Sequence, residues 1–179
     1  MLTVTPTSFV LVRYDHAEIV DLATKVVDRT GFPVDRDLLV EVDESTPLQR
    51  VTVRAIDPVT IEVEGGAFED PTRPRQLSVP ITEAVLSKVL FRVADRLDGS
   101  FADAPVDAAL SHAQLSAWNV YAVGRSTRAG FFGQQQRQRY GFRIRHRFSD
   151  AADAVFDRLW AAGNLTWSEL AALSAQAAS

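Results

Sequence analysis

The sequence predicts an α+β fold: a mixed or mainly antiparallel sheet of about four to five strands, helices packed mainly on one face, and a C-terminal helix pair. Three observations carry this. Two alternating segments, 49–56 and 59–64, flank Asp57-Pro58 and read as a hairpin, which forces antiparallel pairing. Ile81, Val85, Val89, Val93 and Leu97 recur every four residues, with Leu86, Leu90 and Ala94 widening the stripe, as in a helix lying across a sheet. Strand runs gather early in the chain and helix runs late.

The 179 residues fit one α+β domain, 1–179, with 149–179 as the helix pair packed on it. A composition of 46% hydrophobic and 23% charged residues excludes the disordered and fibrous classes. There is no cysteine, which excludes disulfides, thiolate metal sites and cysteine nucleophiles. No apolar run approaches the roughly 20 residues of a membrane helix, and the first residues lack the basic start of a signal peptide. The expected location is the cytoplasm, with no membrane partner.

Residues 8–13 (SFVLVR) read as a strand. Asp15 then caps a helix, with Glu18 at the third helical position, a stripe of Ile19, Leu22, Ala23, Val26 and Val27, and Gly31 as terminator. Leu38–Val42 is a short apolar strand. In the hairpin, Val51, Val53 and Ala55 must share a face with Ile61 and Val63. A three-residue loop, 57–59, satisfies that by pairing 55 with 61 and 53 with 63. Arg50 and Arg54 then face Glu62 and Glu64 on the wet side. Residues 65–75, with two prolines, read as a loop. After the 80–98 helix and Gly99, residues 105–124 form a helix or a broken pair, its second piece starting at Ser111–Gln114. Ser149 or Asp150 caps a helix carrying Val155, Phe156, Leu159 and Trp160. Thr166–Glu169 is a capping box opening the last helix, with Leu165 and Leu170 as its hydrophobic staple.

The net charge is −4, yet residues 125–148 hold seven arginines and no acid. An acidic whole argues against a nucleic-acid-coating role, while a local block allows a confined anion site. From 139 to 148 the pattern alternates. Tyr140, Phe142, Ile144, His146 and Phe148 share one parity; Arg139, Arg143, Arg145 and Arg147 share the other. This predicts a strand with one buried face and one row of guanidinium groups about 7 Å apart. Tyr140, Phe142, Ile144 and His146 are then core residues. The ligand-binding candidates are Arg139, Arg143, Arg145 and Arg147, with Arg125 and Arg128 added from the preceding helix end, because guanidinium forks hold phosphates and carboxylates bidentately. The competing reading is internal neutralisation by Glu62, Glu64, Asp150, Asp153 or Asp157. Phe131-Phe132, between two glycines, is a candidate partner contact or a core plug.

His16, His112 and His146 stand far apart and form no metal-ligating spacing, so no metal and no cofactor is expected. Dinucleotide, phosphate-loop and serine-elbow motifs are missing. The expected function is a binding or interaction protein. Its partner would be an acidic protein segment or a phosphorylated small molecule, with nucleic acid third. The alternative is a hydrolase or transferase acting on a phosphorylated or carboxylated small molecule, its site built from His112, Asp107, Tyr121 and the arginines. A homodimer through the basic strand or the Phe131-Phe132 loop is the third reading.

Overall fold

In the computed structural model, which describes residues 1–33 and 35–179, the chain divides into two units, Met1–Val93 and Ala94–Ser179. The fold is α+β. In the first unit, β1 (Leu2–Thr5), β2 (Leu38–Asp43), β3 (Val51–Ile56) and β4 (Val59–Glu64) form a mixed sheet in the order β1-β2-β4-β3. β1–β2 and β2–β4 are parallel, and β3–β4 is the hairpin. Period-2 alternation decides the faces. Leu38, Val40 and Val42 are buried with Val59, Ile61 and Val63, whereas Glu41 and Asp43 are exposed. Helix α1 (His16–Thr30) packs against β1 and buries Ile19, Leu22, Ala23 and Val26. Asp15 caps it by accepting from the Ala17 and Glu18 N–H groups (2.7 and 3.3 Å), and Gly31 closes it at φ 69°. Helix α2 (Val79–Leu97) buries Leu86, Val89, Leu90 and Val93.

Three expectations are corrected here. Residues 8–13 are not a strand. The N–H groups of Val10, Leu11 and Val12 all donate to one oxygen of Glu44 (2.8, 2.6 and 3.3 Å), so they are withdrawn from any ladder. The first strand is Leu2–Thr5 instead. The hairpin has a two-residue loop, since Ile56 pairs with Val59. A register shift between Val53 and Ala55 then realigns Val53 with Ile61 and Val51 with Val63, so the apolar parity is kept by a bulge rather than by a longer loop. Arg54 still pairs with Glu62, and Arg50 with Glu64 at 3.3 Å. Finally, 65–75 is no plain loop: a 3-10 turn (Gly65–Ala67) leads into a small hairpin of β5 (Glu69–Asp70) and β6 (Arg73–Leu77).

The second unit is helical from the last turn of α2 onward: α3 (His112–Arg128), α4 (Gln135–His146), α5 (Asp150–Ala161) and α6 (Trp167–Ala178). The broken-pair alternative for 105–124 holds, with a 3-10 turn at Asp107–Ala109 before α3. Capping boxes at Ser111–Gln114 and Thr166–Glu169 open α3 and α6. The core joins Phe101, Trp118, Tyr121, Phe142, Phe156, Leu159 and Leu170.

The largest correction is α4. The predicted strand 139–148 is a helix through His146. Gln and Arg are good helix formers, and the winning period is four, not two. Phe142 and His146 are buried one turn apart, whereas Tyr140 and Ile144 are exposed. The His146 Nδ1–H donates to the Phe142 carbonyl (3.1 Å), and the Ser174 hydroxyl donates to Nε2 (2.9 Å). The carbonyl can only accept, which fixes this neutral tautomer.

Two outcomes follow. A Cβ on Gly124 would lie 2.2 Å from the Trp160 carbonyl oxygen, so α3 and α5 meet at a position only glycine fills. Gly124→Ala should destabilise the chain by about 1–3 kcal/mol in chemical denaturation. Burial lowers the His146 pKa below its ordinary 6.5. The unfolded chain therefore binds a proton that the folded chain refuses, and stability falls as pH drops below about 6.5, by at most about 1.4 kcal/mol per pH unit. Urea titrations between roughly pH 7.5 and 5.5 should show that slope, and His146→Gln should remove it.

Candidate functional site

The basic segment does not act as one row. Its arginines divide by what faces them. Arg143 lies across from Asp153 on α5, with Nε to Oδ1 at 2.8 Å and Nη2 to Oδ2 at 2.5 Å. Arg139, one turn earlier, pairs with Asp157 and lies 4.4 Å over the Phe156 ring. The i,i+4 pair of arginines thus meets an i,i+4 pair of aspartates. Hydrogen bonds to these carboxylates raise both arginine pKa values, and the bond from Arg143 holds Asp153 below its usual range.

Arg125 and Arg128 serve α3. Arg125 binds Asp95 through both terminal nitrogens (2.6 and 2.7 Å), and the Trp118 Nε1–H donates to the same carboxylate at 2.7 Å. Burial nevertheless pushes the Asp95 pKa upward, against the pull of Arg125 and Trp118. Arg128 donates to the Trp160 and Ala162 carbonyls (both 2.5 Å), satisfying the end of α5. Arg147 reaches the Ser179 carbonyl at 3.0 Å. Phe131 is 5% exposed and Phe132 52%, so only Phe132 is open to a partner.

Arg145 is different. It is exposed and makes no ion pair or hydrogen bond among the described residues. It lines a cleft of about 250 Å³ between α3 and α4, together with His112, Ser116 and Asn119 of α3 and Gln138 and Gly141 of α4. Leu115, Val120 and Phe142 supply apolar wall. Asn119 Oδ1 is buried and has no hydrogen-bond partner among the described residues. Gly141 carries no Cβ, and one built there would meet nothing within 4 Å. The cleft therefore offers a cation, a histidine, an unused acceptor and open room.

The residues of the alternative site fall in different places. Asp107 pairs with Arg96 at 3.0 Å. Tyr121 lines a second cleft, of about 330 Å³, with Asp95, Asp98, Arg125, Thr166 and Glu169. Most of the charged and hydroxyl groups of that cleft already have hydrogen-bond partners. Asp98 accepts from Ser100, Glu169 from Thr166, and the Tyr121 hydroxyl donates to the Gly163 carbonyl at 3.0 Å. His112 alone joins Arg145. Asn119, Ser116, Gln138 and Gly141 were missed in the sequence. Their signal is the four-residue period shared by Asn119 and Leu115 on α3 and by Gly141 and Arg145 on α4, which emerges only once 135–146 is read as a helix.

A further titratable group is Lys88 on α2, whose ammonium burial pushes down to about 8, with the Arg92 charge adding to the effect. Among the described residues no group of three or more His, Cys, Asp or Glu is arranged to hold a metal, and no helix is long and apolar enough to cross a membrane.

The division of the arginines sets their cost on removal. Arg125→Ala leaves Asp95 buried without its counter-ion and should cost about 3 kcal/mol or more. Arg145→Ala should change stability by no more than about 0.5 kcal/mol. Thermal and urea unfolding of the two variants check this contrast. No family model matches the chain, and no curated protein or solved structure is significantly similar to it.

Proposed function

We propose that the chain is a binding protein whose α3–α4 cleft receives an anionic group, a phosphate or carboxylate. The single observation behind this is Arg145: a guanidinium lining a concave site, with no carboxylate of its own. An exposed guanidinium with no ion pair of its own keeps its planar fork free to hold a phosphate or carboxylate bidentately. His112 adds a ring N–H donor, and Asn119 Oδ1 suits a ligand that also carries a hydroxyl or amine. A phosphorylated small molecule and the carboxylates of an acidic protein segment both meet these demands.

A hydrolase or transferase needs a histidine oriented by a carboxylate, or a serine activated by a histidine, at an open cleft. His112 makes no side-chain hydrogen bond among the described residues, and the His146–Ser174 pair is buried and lines neither cleft. These observations favour binding over catalysis.

Thermal-shift titration with phosphate, citrate and a nucleoside triphosphate at fixed ionic strength tests the reading. Saturation should raise stability by about 2.7 kcal/mol at a hundredfold excess over Kd. Arg145→Ala should abolish the shift. Gly141→Ala should raise the ligand-free stability by about 0.5–1 kcal/mol, because it removes an exposed mid-helix glycine, yet weaken the shift by narrowing the cleft. A shift that survives Arg145→Ala sinks the proposal.

A further inference from the structure

Beside the cleft, α4 presents an outer face that the fold leaves uncovered. Tyr140, Ile144 and Phe148 recur every four residues and are 60%, 54% and 64% exposed. Phe148 lies just past the helix end, yet its ring meets that of Tyr140 edge to face at 5.9 Å. Tyr140 and Phe148 therefore meet, and Ile144 lies one helical turn from Tyr140 on the same face, so the exposed apolar residues are grouped rather than scattered singly. The sequence around them is basic. Arg137, Arg145 and Arg147 are exposed; among the described residues Arg137 and Arg145 have no carboxylate partner, Arg147 donates to the Ser179 main-chain oxygen, and no acid occurs between residues 125 and 148. Gly141 is also exposed on α4 and lines the cleft. A mid-helix glycine with empty space around it weakens the helix and allows another backbone to come close.

We infer that this face docks an acidic amphipathic protein segment. Its apolar side chains would cover Tyr140, Ile144 and Phe148, and its carboxylates would meet Arg137 and Arg145. Gly141 marks the point of closest approach. The inference rests on the anion reading of the cleft, because Arg145 belongs to both. Charge complementarity selects the occupant. A second copy docked symmetrically would set the same arginines against their own counterparts. A bilayer would leave Ser116 and Asn119, in the adjoining concavity, without hydrogen-bond partners. Nucleic acid is disfavoured by the −4 net charge and by an aliphatic residue at the centre of the patch, where a stacking platform needs a ring. An acidic segment with apolar residues three or four apart satisfies the stripe and its charged rim together.

The test is to pan a display library of random 12-residue peptides against the full chain. The enriched peptides should be acidic, with apolar residues spaced three or four apart. The synthetic consensus peptide, followed by fluorescence anisotropy, should bind Tyr140→Ser/Ile144→Ser and Arg145→Ala at least tenfold more weakly, with both variants unfolding at the temperature of the parent. Failure to enrich, enrichment of neutral or basic peptides, or affinity unchanged in the folded variants overturns the inference. Binding of phosphatidylserine vesicles or of poly-dT that is lost in Tyr140→Ser/Ile144→Ser overturns it as well. If small anions still stabilise the chain through Arg145 while the library yields nothing, the docking inference falls and the cleft reading stands.

Discussion

The contact between Arg139 and Arg143 of α4 and Asp153 and Asp157 of α5 governs the second unit. Two arginines one helical turn apart meet two aspartates one turn apart, so the charges are satisfied only if both segments are helical. That arrangement points one face of α4 inward, with Phe142 and His146 in the core behind the ion pairs. It also turns Tyr140, Ile144 and Arg145 outward. Exposed ion pairs of this kind add little to stability. Their effect here is on orientation: they decide which basic side chains are spent inside the protein and which stay exposed.

The buried Asp95 plays a comparable part for α3. It takes hydrogen bonds from Trp118 and Arg125, while Tyr121 lies under the Arg125 guanidinium at 3.9 Å. A carboxylate so enclosed resists ionisation unless its donors stay in place. Arg125 is thereby fixed as a structural group, and the cleft it lines holds an arginine that is already paired. Among the described residues the α3–α4 cleft, by contrast, keeps an unpaired guanidinium and an unpartnered acceptor.

In the first unit the governing constraint is the parity of the sheet. Val4, Val40, Ile61 and Val53 stand opposite one another across four strands, and a slip of one residue would carry Glu41, Arg54 or Glu62, or a threonine, toward that row. The bulge in β3 preserves the row against a tight two-residue turn. Glu44 acts beside it by collecting three successive N–H groups of the 10–12 segment. An extended stretch of strong strand formers is thus held as a loop, with Val10 and Leu11 exposed.

The sequence by itself determined what local chemistry controls. The α+β class, the caps at Asp15 and Thr166, the glycine stop at Gly31 and the Val51/Val53 against Ile61/Val63 parity are all written in residue types at fixed short spacings, whereas the structure chose Ser149 over Asp150 and opened α3 at Ser111. Only the tertiary structure decided the basic segment. Arg139–Phe148 carries a clean period of two and, at the same time, periods of four in Arg139/Arg143 and Phe142/His146. Nothing within the segment ranks these. The ranking comes from Asp153 and Asp157, Phe156 and Ser174, which lie 10 to 28 residues beyond their partners and reward only the helical spacing. The strand 8–13 failed for the same reason, since the acceptor that captured its N–H groups is Glu44, more than thirty residues away. Local propensity sets which conformations a segment can adopt. Distant partners for its charges and backbone donors choose among them, and in this chain that choice also selected Arg145 as the arginine left facing a cleft.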